Sequence, residues 1–412
     1  MKISIKKNWS IILILLAIIG FVTKSLYNYP LAIMAIIGFY RFALSPKLIW
    51  EDEVLKTFII LFLCLWIPML VSLFDAVNPL RSSQTVFSYI RFLFAGLFII
   101  QELSKDNKYF NVFVNCIFFI VFFWCIDASI QFFVGFNLLG FPYTTGEITG
   151  MFYPRNTISH VCAILSPIYF LVIFKNTNKN KWFWLSVIPL FFIILISGRR
   201  AAWLMSALCA FGFLVCIYLS TKNKFKISIT AFLIGIITTS VLTATVALHQ
   251  PTKERFAVTL DLFSSDYEKI NSATAVRLPI WETAYSIFKE HPINGIGPRG
   301  FRYVYNEYAE PYDYFVKRNP NLPPTQPHLL ILEILAETGV IGLVGFLLLF
   351  YFLVKSIQYA TNSFDEFVFL VPVIVAIFPF NAHMAFYGSV WSSMIWLLVA
   401  FYASVLKLSH SK

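Results

Sequence analysis

Charge is scarce in this chain: only 13% of its 412 residues are Asp, Glu, Lys or Arg, whereas 58% are hydrophobic and 18% aromatic. So few charges cannot supply the polar surface of a soluble globular protein. Apolar runs long enough to cross a hydrocarbon core of about 30 Å, about 17–25 residues each, recur along the sequence instead. The composition therefore predicts a polytopic membrane protein.

We predict an all-α fold of twelve membrane-spanning helices, with one long segment outside the membrane. The spans lie near residues 9–23, 29–46, 56–74, 86–103, 109–135, 157–174, 182–197, 201–219, 226–248, 328–354, 366–381 and 387–407. The chain thus divides into helices one to nine within residues 1–248, an external loop over 249–327, and helices ten to twelve within 328–412. All three parts are predicted to form a single integrated membrane domain.

Cysteine is also scarce, and its placement excludes the usual cysteine-based sites. All six cysteines fall inside apolar segments, and none has a partner position in a loop: Cys64, Cys116, Cys125, Cys162, Cys209 and Cys216. A disulfide framework or a metal cluster is therefore not expected. The external side also lacks a carboxylate cluster or an Asp-x-Asp pair, which argues against a bound divalent cation.

The basic residues divide between the two sides of the membrane. Lysines occupy the terminal segments and every second loop, so the positive-inside rule predicts that both termini are cytoplasmic and that residues 249–327 are periplasmic. Ten of the eleven arginines fall on the opposite side from most lysines. A planar bidentate cation suits phosphate, so this distribution indicates an anionic substrate. The ten are Arg81, Arg91, Arg155, Arg199, Arg200, Arg255, Arg277, Arg299, Arg302 and Arg318.

The long external segment shows helical patterns and is not expected to be disordered. Apolar spacing predicts an amphipathic helix that begins near Arg277 and stops before Pro292. A Gly- and Pro-containing run follows at 294–298, and a second helix is predicted at 300–310. A Pro-rich stretch then returns the chain to the membrane at His328.

Three short stretches contain candidate reactive side chains. Arg199 and Arg200 form the external turn between the seventh and eighth spans, where they either bind an anion or extend to lipid phosphates. Arg199 is the secondary candidate, because only one of the two needs to face a site. Arg277 begins the loop helix and either belongs to the site or pairs with Glu282 on the helix surface.

His328 lies at the membrane interface, where imidazole can exchange protons near neutral pH or serve only a structural role. Glu337 follows nine residues later inside an apolar span, and a carboxylate there is either functional or bonded to a neighbouring helix. His383 lies on the same external side and is the next candidate base.

These stretches together resemble the O-antigen ligase family. The resemblance rests on Ser-Gly-Arg-Arg-Ala-Ala-Trp-Leu at 197–204, on Arg-Leu-Pro-Ile-Trp at 277–281 with Pro-Ile-Asn-Gly-Ile-Gly at 292–297, and on His328 followed by Glu-Thr-Gly at 337–339. Phe-Tyr-Pro-Arg-Asn at 152–156 is similar to the family's Pro-Asn turn. The order of these motifs and the long loop after the ninth span also match, so the resemblance covers nearly the whole chain.

The resemblance implies a membrane glycosyltransferase of the GT-C class in the bacterial inner membrane. Such an enzyme transfers a polysaccharide from undecaprenyl pyrophosphate to a sugar hydroxyl of lipid A-core, with no metal, nucleotide sugar or other cofactor. Nucleic acid is excluded as a partner by the compartment, because the arginines are predicted to face outward. The matching positions imply that Arg200 and Arg277, with Arg199, bind the pyrophosphate and that His328 is the general base. The supporting candidates are Glu337, Asn156, Arg155, Arg299 and His383. Leu329 stands where the family often has Asn.

Other functions remain open at this stage. The O-antigen polymerase and the protein O-oligosaccharyltransferase of the same superfamily have overlapping motifs. A twelve-helix secondary transporter is the main alternative of another class, although such carriers usually have two similar halves and a long central cytoplasmic link. In this chain the central link near 175–181 is short, and the long loop is external and off-centre.

Overall fold

The computed structural model describes residues 5–144, 147–176, 181–220, 235–237, 240–241, 243–245, 247–357, 363–381 and 384–410. Within these ranges the secondary structure is helical, apart from two isolated β-bridges that pair Phe136 with Pro142 and Thr144 with Glu147. The all-α prediction is therefore confirmed for the described residues.

Among the described residues, nine α-helices form the first part of the bundle. They are α1 (Ile5–Ile19), α2 (Asn28–Leu44), α3 (Pro46–Glu51), α4 (Glu53–Val71), α5 (Pro79–Leu103), α6 (Asn107–Val134), α7 (Ile158–Asn176), α8 (Val187–Ile196) and α9 (Arg200–Ser220). The start of α5 is specified locally, because the Asn78 side chain accepts from the Arg81 N–H and Pro79 occupies the first turn.

Five shorter helices order the long segment 249–327. They are α10 (Gln250–Leu260), α11 (Tyr267–Ala273), α12 (Leu278–Glu290), α13 (Phe301–Tyr308) and α14 (Tyr314–Arg318). The two helices predicted for this segment are confirmed as α12 and α13. They pack through a small hydrophobic core that includes Ile280, Ile287, Ile296 and Tyr305, which explains why a segment outside the main bundle is ordered.

The last three helices are α15 (Leu330–Ser356), α16 (Phe364–Ala376) and α17 (Ser389–His410). Helix α15 is interrupted at Gly339, whose φ of 61° and ψ of −158° are not helical. A Cβ at this position would lie 2.4 Å from the Ile293 carbonyl oxygen, so glycine is required for both conformation and space.

Seven of the described helices are long and apolar enough to cross a membrane, namely α4, α5, α6, α7, α9, α15 and α17, and three shorter apolar helices lie at 8–22, 28–44 and 183–196. The chain is therefore a multi-pass membrane protein. Helices α7 and α17 are central, since 89% of the apolar window of each is buried, against 39–61% in the other five.

Eleven of the twelve predicted spans coincide with a helix, although not every helix has full membrane-spanning length. Helix α16 has only 13 residues and ends at Ala376, before the predicted end at 381. The predicted ninth span at 226–248 lies largely outside the described residues. The count of twelve spans, like the GT-C architecture, stays a prediction.

Candidate active site

Most of the residues singled out in the sequence line one cavity of about 710 Å³, which we call the first cavity. This volume is within the range of about 300–1,000 Å³ that is typical of ligand pockets. Its walls come from α7, the turn before α9, α10, the end of α11, the start of α12 and the residues that flank α15 and α16. The basic residues in its lining are Arg199, Arg200, Arg255, Arg277, His160 and His328, and none of the described lining residues is acidic.

The turn at 197–199 presents two adjacent arginines to this cavity. Gly198 has a φ of 62°, and a Cβ there would lie 2.6 Å from the Arg255 Cδ atom, so only glycine fits. Arg255 in turn donates from Nη1 to the Gly198 carbonyl oxygen at 3.1 Å. The close packing of Arg255 on the turn fixes where Arg199 and Arg200 begin.

Arg199, the secondary candidate, and Arg200 both line the cavity. Arg200 donates from Nη1 to the Ala273 carbonyl oxygen at the end of α11. Arg199 lies toward the edge, where Nη2 is 3.3 Å from a carboxylate oxygen of the half-exposed Glu147. Burial, partly offset by Glu147 and reinforced by Arg255, lowers the pKa of Arg199.

Arg277 enters the cavity from a backbone turn of unusual conformation. Ala275 and Val276 have φ values of 60° and 59°, and a β-branched residue rarely adopts the left-handed region. The turn is held by hydrogen bonds, including one of 2.7 Å from the Val276 N–H to the Asn271 carbonyl oxygen. Strain of this kind persists where the surrounding structure imposes it, often at functional sites.

The environment of Arg277 is poorly hydrated and strongly positive. Burial, followed by the neighbouring charges of Arg200 and Arg199, lowers the pKa of Arg277 to about 10. A pKa of about 10 leaves the guanidinium charged near neutral pH. The three arginines therefore form a cluster of like charges whose mutual repulsion an anion would relieve.

His328 lies at the junction between the long segment and α15. Its φ of 53° marks the turn, and two residues later the Leu330 N–H donates to the Asn381 carbonyl oxygen at 3.0 Å. The buried side-chain amide of Gln326 lies 3.1 Å from the His328 Nδ1 atom (Nε2 to Nδ1). This contact restrains the orientation of the half-buried imidazole ring in the cavity wall.

Asn156 and Arg155 are adjacent in sequence but occupy different surroundings. Asn156 lines the cavity; when its amide nitrogen donates to the Ile148 carbonyl oxygen at 2.9 Å, its oxygen accepts from Arg199 Nη2 and Nε at 3.3 Å. Arg155 instead donates to the Phe21 carbonyl oxygen at 2.9 Å and does not line the cavity. Asn156 thus orients Arg199, whereas Arg155 ties its loop to the end of α1.

Glu337 and Arg299 also lie outside the first cavity. Glu337 is fully buried in α15, and its Oε2 accepts from the Arg299 N–H at 2.7 Å. Arg299 lines a separate cavity.

His383 lies outside the described residues. Of the predicted site residues, the structure therefore brings together Arg199, Arg200, Arg277, His328 and Asn156.

Four further lining residues were not selected from the sequence. Arg255 belonged only to the general set of external arginines, and His160, in the first turn of α7, lies four residues after Asn156. Trp203 and Trp281 are parts of the two arginine motifs and place indole rings in the wall. The buried Trp281 Nε1 has no hydrogen-bond partner among the described residues, so it is available as a donor to a ligand.

A cavity of about 380 Å³ at the opposite end of the bundle is a weaker candidate. It lies between the start of α4 and the end of α17, and most of its lining is apolar. Its Lys407 and Asp52 pair with each other at 2.6 Å. A cavity whose charges are already paired offers little to an ionic substrate.

The part of the chain that matches a known family contains most of the residues that line the first cavity. Residues 185–347 match the family model described as O-antigen ligase. A protein of Rickettsia conorii named "Putative polysaccharide ligase" is 26% identical over 335 residues, which cover 80% of this chain and 75% of that protein. A Rickettsia felis protein of the same name is 24% identical over 297 residues, or 71% of this chain and 67% of that protein.

Proposed function

We propose that this chain, which belongs to the O-antigen ligase family, transfers a polysaccharide from undecaprenyl pyrophosphate to a sugar hydroxyl of lipid A-core. The observation that carries the proposal is the convergence of Arg200, Arg277 and His328 on one cavity, although they are far apart in the sequence. A phosphate-binding group and a proton acceptor at one site are what this transfer requires.

The arginine cluster is proposed to bind the donor pyrophosphate. During transfer, the bond between the anomeric carbon and the phosphate oxygen breaks, and the pyrophosphate leaves with the electron pair. Guanidinium groups already in place stabilise that developing charge, and burial strengthens the interaction relative to bulk water. The lowered pKa of Arg277, to about 10, supports this role because it reports burial beside like charges in a group that stays protonated.

His328 is proposed to accept the proton of the acceptor hydroxyl as its oxygen bonds to the anomeric carbon. A positioned general base contributes typically about 10²–10⁴-fold to such a step. This role requires the Gln326 amide with its oxygen toward Nδ1–H, the reverse of the Nε2-to-Nδ1 contact described above, because that tautomer leaves the His328 Nε2 unprotonated. The proposed reaction uses no metal or other cofactor.

The proposal places the first cavity at the periplasmic face of the bacterial inner membrane, with both termini cytoplasmic. This orientation follows from the lysine distribution and gives the cavity access to lipid-borne donor and acceptor. Two single cysteine variants test it with a membrane-impermeant thiol reagent. Ser265→Cys, at an exposed site in the long segment, should react from the periplasmic side, and Lys47→Cys should react only after the inner membrane is broken.

The native cysteines give a low background for this labelling. Among the six, four are buried and two only partly accessible. Protection of Ser265→Cys in cells with a permeabilised outer membrane, together with reaction of Lys47→Cys, would show that the orientation is inverted.

The transfer itself is tested by the lipopolysaccharide of a strain that lacks this gene. Loss of the whole polysaccharide ladder, restored by the wild-type gene, supports the ligase. A single-repeat band indicates a polymerase, and loss of a glycosylated protein with an intact ladder indicates a protein O-oligosaccharyltransferase. In proteoliposomes, counterflow without consumption of lipid-linked glycan would identify a transporter.

A further inference from the structure

A second cavity, of about 330 Å³, is also lined by arginines and lies apart from the first. Arg81 and Arg91 from α5 and Arg299 from the turn before α13 line it, together with hydroxyl and amide groups that include Asn28 and Ser389. None of its described lining residues is acidic. Three cations and several neutral donors are a suitable set for a phosphate group.

The backbone around Arg299 is fixed at several points. Arg299 has a φ of 65°, and its N–H donates to the Glu337 Oε2 atom at 2.7 Å. The Gly297 N–H donates to the Glu337 carbonyl oxygen at 3.0 Å, and the Ser82 hydroxyl donates to the Pro298 carbonyl oxygen at 3.1 Å. These bonds tie the turn to α15 and α5, and they hold the Arg299 side chain at the cavity.

The Arg299 side chain is buried without a full set of partners. The residue is only 8% exposed, and its Nη1 atom has no hydrogen-bond partner among the described residues. The two carboxylates that influence it, Glu333 and Glu337, accept from backbone N–H groups and form no ion pair with it in the described part of the chain. A buried guanidinium nitrogen without a partner is costly unless a ligand satisfies it.

The other two arginines that line the second cavity, Arg81 and Arg91, come from α5. Arg91 donates from Nη2 to the Ser389 hydroxyl at 2.7 Å, so it is positioned at the start of α17. The exposed Arg81 makes no side-chain hydrogen bond or ion pair with the described residues. Exposed apolar side chains directly adjoin lining residues in the sequence: Tyr29 follows Asn28 on α2, and Phe87 precedes Ser88 on α5. An occupant with a phosphate group and adjoining hydrocarbon fits both kinds of surface.

We propose that the second cavity binds a phosphate group of the acceptor glycolipid. The inference that the bound lipid is the acceptor rests on the proposed function, whereas the inference that the cavity prefers a lipid phosphate rests on the residues of the cavity alone. The segment after α16 connects the two sites, because Asn381 and Met384 line the first cavity and Tyr387 and Ser389 line the second. An acceptor anchored in the second cavity would be held next to the donor site.

Binding to the purified full-length protein in detergent, measured by native mass spectrometry, tests this site without catalysis. The probes are diphosphoryl lipid A and its dephosphorylated form. Wild type should bind the phosphorylated probe about ten-fold or more tightly. Arg81→Gln and Arg299→Gln should each lose most of that preference. The control Arg318→Gln removes one exposed arginine of α14 that does not line the cavity, and it should retain the preference.

Several results would overturn the proposal. One is equal binding of the phosphorylated and dephosphorylated probes by the wild type. Another is an undiminished preference for the phosphorylated probe in both Arg81→Gln and Arg299→Gln. Displacement of lipid A by millimolar inorganic phosphate would assign the site to a free anion. Equal competition by phosphatidylglycerol would assign it to anionic lipids in general. Arg81 is exposed, so Arg81→Gln remains informative if Arg299→Gln fails to fold.

The failure of this site and the failure of the proposed function are distinguishable. Retained phosphate preference in a protein that never transfers polysaccharide would refute the function and leave the lipid-phosphate site supported. Normal transfer with no phosphate preference would refute the second site alone. Retention of undecaprenyl pyrophosphate by the Arg81→Gln variant checks that the first cavity is intact.

Discussion

The two arginine-lined cavities differ in what accompanies their arginines. The first contains two histidines and two tryptophans, and its guanidiniums bond to loop carbonyls such as those of Gly198 and Ala273. The lining of the second contains hydroxyl and amide groups but, among the described residues, no histidine. Both can hold an anion, but the first also contains His328, the proposed general base. This difference is the basis for proposing chemistry at the first cavity and anchoring at the second.

Substitution of His328 is expected to have the largest effect on polysaccharide transfer, and it tests the proposed division of roles between the two cavities. His328→Ala should reduce transfer of polysaccharide by about 10²-fold or more, because the general base is lost, while donor binding persists. The measurement is transfer by purified protein, with undecaprenyl pyrophosphate binding as a separate readout. His291→Ala is the matched control, since His291 bonds to the Tyr308 hydroxyl in the long segment and does not line the cavity.

Near-normal turnover in His328→Ala would make His328 structural and remove the chemical distinction between the cavities. His160 and His383 would then be the next residues to substitute. His160 lines the same cavity, and His383 is close in sequence to the lining residues Asn381 and Met384.

The next largest effect concerns the arginines of the first cavity. Arg200→Ala and Arg277→Ala should each weaken transfer about ten- to a hundred-fold, since a hydrogen bond to a charged group contributes roughly 1.5–3 kcal/mol. Lysine keeps the charge but loses the planar fork, so Arg277→Lys should remain impaired. The assay is again transfer by purified protein, with Arg318→Ala as the control. Full activity in both alanine variants at normal protein levels would rule out a role in pyrophosphate binding.

Much of the fold and several lining residues of the first cavity are predictable from the sequence, for identifiable physical reasons. Helix positions follow from apolar runs and local signals such as Pro79, so eleven spans fall on helices. Arg199, Arg200, Arg277 and His328 lie within contiguous motifs and were found. Arg255 and His160 were not selected, because their side chains meet the cavity only through long-range packing. A sequence motif consists of residues that are close together along the chain, so it does not show which distant residues pack around the same cavity.

Glu337 shows a different limit of the sequence. A carboxylate inside an apolar span indicates either a functional residue or a specific hydrogen bond to a neighbouring segment, and the amino-acid sequence does not distinguish the two. The structure shows it bound to the Arg299 N–H beside the interruption at Gly339. The motif that contains Glu337 therefore fixes the turn before α13 and, through Arg299, one wall of the second cavity.

A smaller effect is expected from the residue that orients the base. Gln326→Leu removes the contact with His328 Nδ1 and should lower turnover about ten-fold, comparable to the loss of a hydrogen-bonded supporting residue. Gln326→Glu places an acceptor oxygen beside Nδ1–H, as the proposed tautomer requires, and should retain more activity. The carboxylate also favours the charged imidazolium, so the acid limb of the pH–rate profile should move to higher pH. Identical profiles for wild type and Gln326→Glu would show that Gln326 does not act through His328.

The smallest effect on catalysis is expected at Glu337. Glu337→Gln keeps an oxygen that accepts from the Arg299 N–H, whereas Glu337→Ala leaves that buried N–H without a partner, at a cost of about 1–3 kcal/mol in stability. Thermal unfolding in detergent should therefore occur at lower temperature in Glu337→Ala than in Glu337→Gln. Turnover of the folded Glu337→Gln protein should stay within about three-fold of wild type, because a support outside the first cavity moves no proton. If Glu337→Gln unfolded like wild type yet lost transfer as completely as His328→Ala, then the carboxylate would belong to the chemistry, and the separation between a reacting cavity and an anchoring cavity would fail.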